Sequence, residues 1–156
     1  MTNILNCNSE TEQSDFTTIR ASNYHDFDNF KTMSVFTQKN HFKILSFNTE
    51  SIASELDNLK IFIESLDKYG IQFDAICINE CWLEYFGDDL NLMNYSAFHL
   101  SRKVGMKGGL ITYLHKDFQA KEIDLYEDSK VWEGQFLEIS GSNMNTKLLL
   151  GNIYVP

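Results

Sequence analysis

The sequence predicts a domain of the mixed α/β class, because segments with strand and helix patterns alternate along it. The segment "HFKILSFN", residues 41–48, is a short apolar run of strand length that ends at Asn48. From Ile52 to Leu66, apolar residues recur at steps of three and four, as on one face of a helix. The run "FDAICIN", residues 73–79, is almost continuously apolar and is typical of a strand covered on both faces. This order predicts a right-handed βαβ unit with parallel strands.

The composition favours one globular domain that follows a polar tail. The chain has 156 residues, of which 43% are hydrophobic and 13% aromatic, enough for a core. Residues 1–40 are rich in Ser, Thr, Asn and Asp and predict a tail without fixed structure. No apolar run reaches the roughly 18 residues of a membrane span, and the first residues lack a signal-peptide pattern. We therefore expect an intracellular protein that does not enter a membrane.

The remaining elements follow from caps, turn residues and alternation. Ser51 is of the type that caps a helix N-terminus, and Gly70 is of the type that stops a helix. The turn "KVGMKGG", residues 103–109, predicts that the segments on either side of it, 95–102 and 108–115, form a β-hairpin. Four later strands are predicted, each bounded by Gly, Asn, Asp or Ser: "YSAFHLSR" (95–102), "GGLITYLH" (108–115), "VWEGQFLEIS" (131–140) and "KLLLGNIYVP" (147–156).

The first two strands also predict a ligand site. Asn48 ends the first, and Glu80 directly follows the second. Open α/β sheets bind ligands at the carboxyl ends of parallel strands. A carboxylate at the end of a buried strand must be solvated, paired or bound to a cation, because an unpaired buried charge is costly. Glu80 is thus expected to face a cleft, although backbone amides or solvent could hold it equally, and Asn48 could be a cap or turn residue.

Four short motifs carry a resemblance to a known family. In chain order they are "LSFN", "INECWL", "KGGLITYL" and "LLLGNIYVP". Together they resemble the endonuclease/exonuclease/phosphatase superfamily, and most closely the apurinic-type endonuclease domains of non-LTR retrotransposons, over about residues 42–156. Asn79 and Cys81 depart from the pattern, which commonly has threonines around the glutamate. The resemblance implies a four-layer α/β sandwich of two mixed β-sheets with flanking helices.

The fold implied for this chain is incomplete. The family's later aspartate and asparagine, and its aspartate-histidine pair, would lie beyond Pro156. We therefore expect residues 41–156 to be the N-terminal portion of the domain, truncated after the Tyr-x-Pro strand, with one sheet face bare. The missing C-terminal half, or another chain, would be needed to complete it, and the chain alone is expected to be inactive.

The resemblance also implies roles for four residues. Glu80 resembles the carboxylate that binds Mg²⁺ (or Mn²⁺), and Asn48 the asparagine that contacts phosphate or holds the metal ligand. Tyr154 resembles the active-site tyrosine of the Tyr-x-Pro motif, with core packing as the alternative. Arg102 could pair with a DNA phosphate, or be an ordinary surface arginine. His99 and His115 match no catalytic position of the family, so we expect both to be structural.

The function implied is that of a divalent-metal-dependent endonuclease, of which this chain is a fragment. It would hydrolyse DNA phosphodiester bonds, as in retrotransposon target-site nicking, with DNA as partner and the nucleus as its location if it acts on chromosomal DNA. The net charge of −9 is unusual for a DNA-binding protein. Two alternatives stay open: another phosphodiesterase or phosphatase of the same superfamily, and a catalytically inactive remnant that acts as a binding module.

Overall fold

The computed structural model of the chain describes residues 41–82, 90–101, 108–124 and 131–155. The predicted tail, 1–40, as well as Arg102 and Pro156, lie outside these ranges. The described elements are β1 (Ile44–Asn48), α1 (Ile52–Asp67), β2 (Ala75–Asn79), β3 (Tyr95–Leu100), β4 (Leu110–His115), β5 (Phe118–Glu122), β6 (Glu133–Gly141) and β7 (Leu148–Tyr154). The described part of the chain is therefore a mixed α/β structure. No helix within it is long and apolar enough to cross a membrane.

The strands form two sheets. The first is mixed and has the order β1-β2-β4-β3, with β1 and β2 parallel and the other neighbours antiparallel. The second is antiparallel and has the order β5-β6-β7. The parallel pair joined through α1 confirms the predicted strand-helix-strand unit. Strand β5 was not predicted, because it is short and largely polar, with only Phe118 and Ala120 as alternating apolar residues.

Two apolar cores hold three layers together. The first lies between α1 and the four-stranded sheet, to which β2 contributes Ile76 and Ile78. The second lies between the two sheets, to which β2 contributes Ala75 and Cys77. Strand β2 is thus covered on both faces, as its apolar run predicted. The helix buries the five residues given by its spacing: Ile52, Leu56, Leu59, Ile63 and Leu66.

The ends of α1 tie the helix to its surroundings. Ser51 occupies the N-cap position, as predicted, but its side chain makes no capping hydrogen bond. The first helical amide, Ile52 N–H, donates instead to the carbonyl oxygen of Cys81 at 3.1 Å. Gly70 follows the helix at φ +68°, a left-handed conformation that glycine adopts readily. The helix therefore starts against the segment that follows β2.

Candidate functional site

The carboxyl ends of β1 and β2 meet at one edge of the four-stranded sheet. Asn48 and Asn79 are partners in the parallel register. The pairing continues one step further, because Thr49 N–H donates to the carbonyl oxygen of Asn79 at 3.1 Å. Glu80 follows Asn79 directly, so it lies beside the end of β1, where parallel sheets bind ligands.

Three of the predicted site residues come together at this edge. Asn48 Nδ2 donates a hydrogen bond to Glu80 Oε1 at 2.9 Å. The hydroxyl of Tyr154, from the last position of β7, donates to the same carboxylate oxygen. The amide of Asn48 is itself oriented, since its Oδ1 accepts a hydrogen bond from Glu50 N–H at 3.2 Å. The fourth residue, Arg102, lies outside the described ranges.

The backbone that presents Glu80 has an uncommon conformation. Glu80 has φ +55° and Trp82 φ +48°, both in the left-handed region that disfavours residues with a side chain. Two hydrogen bonds hold this turn: Cys81 N–H donates to Gly109 O at 3.1 Å, and Trp82 N–H donates to Gly108 O at 2.9 Å. Such conformations cost of order 1–3 kcal/mol and often occur at functional sites.

Buried polar side chains from the second sheet support the site, and the motifs did not identify them. Glu133 is 1% exposed, and its Oε2 accepts a hydrogen bond from Gly109 N–H at 2.8 Å. A signal for it exists in the sequence. Glu133 and Gln135 share their strand face with Leu137 and Ile139, which pack between the sheets. Period-two alternation therefore directs both polar side chains into the same space.

Asn152 joins the sheets beneath the site. It is buried, and its Nδ2 lies 3.4 Å from Ile78 O, 3.2 Å from Ile111 O and 3.3 Å from Thr112 Oγ1. It is also the partner of Gln135 in the β6–β7 register. Because a buried amide is tolerated only when it is hydrogen-bonded, these contacts fix β7 against β2 and β4. They thereby determine where Tyr154, two residues later, meets Glu80.

The two histidines, His99 and His115, are not among the predicted site residues that meet at Glu80. His115 is the last residue of β4, whose first residue, Leu110, pairs with Asn79 beside the site. His115 therefore lies at the opposite end of the sheet, where its ring contacts the side chain of Gln72 and accepts from Asp117 N–H at 3.3 Å. His99 lies on β3, at the edge of the sheet.

The side chains assembled at Glu80 offer oxygen atoms that could bind a metal ion. Burial raises the pKa of the Cys81 thiol to about 12, so this neighbour stays protonated near neutral pH. The available ligand atoms are then the Glu80 carboxylate, the Asn48 amide oxygen and the Tyr154 hydroxyl. Hard divalent cations prefer such oxygens, and Mg²⁺ needs only one or two carboxylates besides water and phosphate. Within the described ranges, no three His, Cys, Asp or Glu residues cluster as a metal centre.

The site is partly exposed among the residues that the structure describes. The hydrogen bond between Asn48 and Glu80 is exposed. A groove of about 460 Å³ between β1 and α1 begins at Asn48 and Thr49 and is otherwise lined mainly by apolar side chains. A larger cavity of about 900 Å³ includes Asp74 and Asp117, which belong to the opposite end of the four-stranded sheet.

Comparison with protein-family models gives no match, and a search of the curated proteins gives none either. The functional assignment therefore depends on the motifs and on the geometry of the site.

Proposed function

We propose that this chain carries the metal and phosphate site of a divalent-metal-dependent endonuclease. It would belong to the endonuclease/exonuclease/phosphatase superfamily, close to the apurinic-type endonuclease domains of non-LTR retrotransposons, and cleave DNA. One observation carries the proposal: a single oxygen of Glu80 accepts hydrogen bonds from Asn48 and Tyr154. Asn48 and Tyr154 stand 32 and 74 positions from Glu80, and each of the three residues belongs to a different motif.

The architecture supports the corresponding fold. A helix, a mixed four-stranded sheet and an antiparallel three-stranded sheet lie in successive layers. We propose that they are three layers of a four-layer α/β sandwich, of which residues 41–156 form the N-terminal portion. The remaining strands and the fourth layer would come from a C-terminal half or from another chain.

Glu80 would hold the Mg²⁺ or Mn²⁺ ion, with water and substrate phosphate as its other ligands. When bound, the ion neutralises charge on the phosphate and on the leaving oxygen of the broken phosphodiester. Asn48 and Tyr154 orient the carboxylate, since both donate to its Oε1. Hydrogen bonds of this kind fix a ligand's direction and strengthen metal binding.

We propose that Asn48 and Tyr154 also contact the substrate. Asn48 Nδ2 carries a second N–H that could donate to a phosphate oxygen. The single hydroxyl hydrogen of Tyr154 is bound to Glu80, so Tyr154 could donate to a phosphate only by giving up that bond. A water nucleophile also needs a proton acceptor. His115 is at the far end of β4, so we assign that role to the aspartate-histidine pair of the family's C-terminal half. A DNA target in chromosomes would place the protein in the nucleus.

The charge of the chain favours a second candidate. At −9, it repels a polyanion, whereas a small phosphate ester can still approach a bound cation. A phosphodiesterase or phosphatase acting on lipid, inositol or RNA phosphates would use Glu80, Asn48 and Tyr154 in the same way. The two candidates differ in substrate and not in the site.

Plasmid nicking in Mg²⁺ tests the proposal. The chain is compared with a longer version that carries the family's C-terminal half, each as wild type and as Glu80→Gln. We expect nicking by the longer version, a loss of about 100-fold or more in Glu80→Gln, and little or none by the chain alone. Glu64→Gln, the same change at an exposed position of α1, serves as control.

Each other outcome revises the proposal. Equal nicking by the longer wild type and its Glu80→Gln variant would show that Glu80 is not the ligand. Glu80-dependent hydrolysis of an inositol phosphate without plasmid nicking would replace the endonuclease with the second candidate. Inactivity on both substrates, in a folded protein, would favour the binding module.

A further inference from the structure

Glu133 is a buried carboxylate that takes no part in the reaction proposed above. It opens β6, faces the space between the sheets and is 1% exposed. Burying an ionised carboxylate is unfavourable unless hydrogen bonds compensate. Its described bond is to a main-chain amide, because Oε2 accepts from Gly109 N–H at 2.8 Å. The Gly109 amide thus receives an oxygen acceptor from this side chain, which a methionine of similar size could not supply.

That bond is the first of a short series of hydrogen bonds that ends at Cys81 and Trp82, the two residues after Glu80. Gly108 and Gly109 have φ +106° and +83°, conformations that glycine permits. The Gly109 carbonyl accepts from Cys81 N–H, and the Gly108 carbonyl from Trp82 N–H. Glu133 thus binds the N–H group of Gly109. The carbonyl groups of the two-glycine segment, Gly108 and Gly109, in turn bind the turn after Glu80.

The strand pairing of the three-stranded sheet gives a second link between Glu133 and the Glu80 carboxylate. Glu133 and Tyr154 are partners in the β6–β7 register. Tyr154 donates its hydroxyl hydrogen bond to Glu80. The start of β6 therefore lies beside both supports of Glu80, the two-glycine segment and the tyrosine.

We propose that Glu133 is a positioning residue for the metal ligand Glu80. By fixing the Gly109 amide, it keeps the turn at Glu80 in its left-handed conformation and directs the carboxylate toward Asn48 and Tyr154. The inference rests on the proposed function, because positioning matters only if Glu80 binds the cation. Without the Glu133 acceptor, the turn relaxes and the carboxylate loses its fixed direction.

Four variants of the full chain separate positioning from packing. Glu133→Gln keeps an acceptor for Gly109 N–H. Glu133→Met removes it at similar volume, and Glu133→Asp keeps the carboxyl group but withdraws it by one carbon. Gln135→Met is the matched control, since Gln135 is also buried and is the next residue on the same face of β6.

Amide hydrogen exchange gives the first measurement. In Glu133→Met and Glu133→Asp, we expect the Cys81 and Trp82 amides to exchange about tenfold faster than in the wild type. In Glu133→Gln and Gln135→Met, we expect changes of about twofold at most. Unchanged exchange in both the methionine and the aspartate variants would overturn the inference. If the methionine variant does not fold, the aspartate variant decides.

Mn²⁺ titration gives the second measurement, read as paramagnetic broadening of the Cys81 and Trp82 amide signals. We expect apparent affinity to fall about tenfold in the methionine and aspartate variants, and to recover in Glu133→Gln. Faster exchange with unchanged Mn²⁺ affinity would overturn the positioning role. If the wild type shows no broadening that depends on Glu80, the proposed function fails, and the exchange data alone decide whether Glu133 holds the turn.

Discussion

At the scale of single residues, Glu80 combines a strained backbone with a well-supported side chain. Its φ of +55° is one that glycine would adopt more easily. The position nevertheless carries a carboxylate, which receives hydrogen bonds from Asn48 and Tyr154. A residue that costs stability where it stands, yet receives two hydrogen bonds on its carboxylate, is consistent with the proposed role of Glu80 as a metal ligand.

The left-handed backbone of Glu80, a residue with a side chain, leads to a prediction about stability. Glu80→Gly should be more stable than Glu80→Ala by about 1 kcal/mol, because only glycine relieves the left-handed conformation. At Glu64, inside α1, the order should reverse by about 1 kcal/mol, since glycine weakens helices. Urea denaturation of the four variants measures both differences. Equal stability of the two variants at position 80 would argue against backbone strain there.

Buried thiols and phenols predict how stability depends on pH. Burial raises the pKa of Cys77 to about 11 and of Cys81 to about 12, and it also raises the pKa of Tyr95 and Tyr113. In the unfolded chain the thiols ionise near their ordinary value of 9.0. Above that pH the unfolded state has lost protons that the folded state retains, so the unfolding free energy decreases as pH rises.

Chemical denaturation between pH 8 and pH 11 measures this dependence. Stability should be level below about pH 9 and then fall by about 1.4 kcal/mol per pH unit for each buried thiol. Cys77→Ala should remove one such contribution, whereas Glu64→Gln should leave the slope unchanged. A flat profile up to pH 11 would show that the thiols ionise equally in both states.

At the scale of elements, apolar patterns predicted most of the fold. The spacing of α1 gave its five buried positions, and the alternation or continuity of apolar residues gave six of the seven described strands. Several strand ends differ by up to three residues, as at β1, which begins at Ile44 and not at residue 41. β5 was not predicted because its composition is not typical of a strand. It is extended because it pairs with β6.

The site was predictable only in part. Asn48 and Glu80 follow from strand ends, whereas Tyr154 required the family resemblance. Glu133 and Asn152 were missed because polar residues on an inward face look like ordinary surface residues. Their contacts join β6 and β7 to distant segments, and sequence spacing does not give the register between two sheets.

The end of α1 offers a direct test of local backbone chemistry. An added Cβ at Gly70 would meet no atom within 4 Å, yet its φ is +68°. Gly70→Ala should therefore destabilise the protein by about 1 kcal/mol, through conformation and not through a clash. Gly70→Asn should cost less, because asparagine tolerates left-handed backbone. Thermal unfolding compares the two, and an alanine variant as stable as the wild type would contradict this account.

At the scale of the whole molecule, one face of the second sheet exposes apolar side chains, as far as the described residues show. On β7, Leu149 is 58% exposed and Ile153 50% exposed, and Val155, which follows, is 67% exposed. The side chains at alternate positions of this strand, Leu150 and Asn152, are buried toward the first sheet. Among the described residues, the helix lies on the other sheet, so this apolar face is available for association.

Self-association should therefore depend on this face. Replacing Leu149 and Ile153 together with lysine should lower concentration-dependent association in sedimentation velocity, while changing stability by about 0.5 kcal/mol or less. Ile61→Lys is the control, because Ile61 is 62% exposed but lies on α1. A wild type that is monomeric at every concentration would show that the open face does not drive association.

The central claim is that Glu80, held by Asn48 and Tyr154, binds a divalent cation. The most direct test is Mn²⁺ binding to the full chain, followed by electron paramagnetic resonance, for the wild type, Glu80→Gln, Tyr154→Phe and Glu64→Gln. We predict that Glu80→Gln abolishes the site, that Tyr154→Phe weakens it about tenfold, and that Glu64→Gln binds like the wild type. Equal binding by the wild type and Glu80→Gln, with both folded, would contradict the claim.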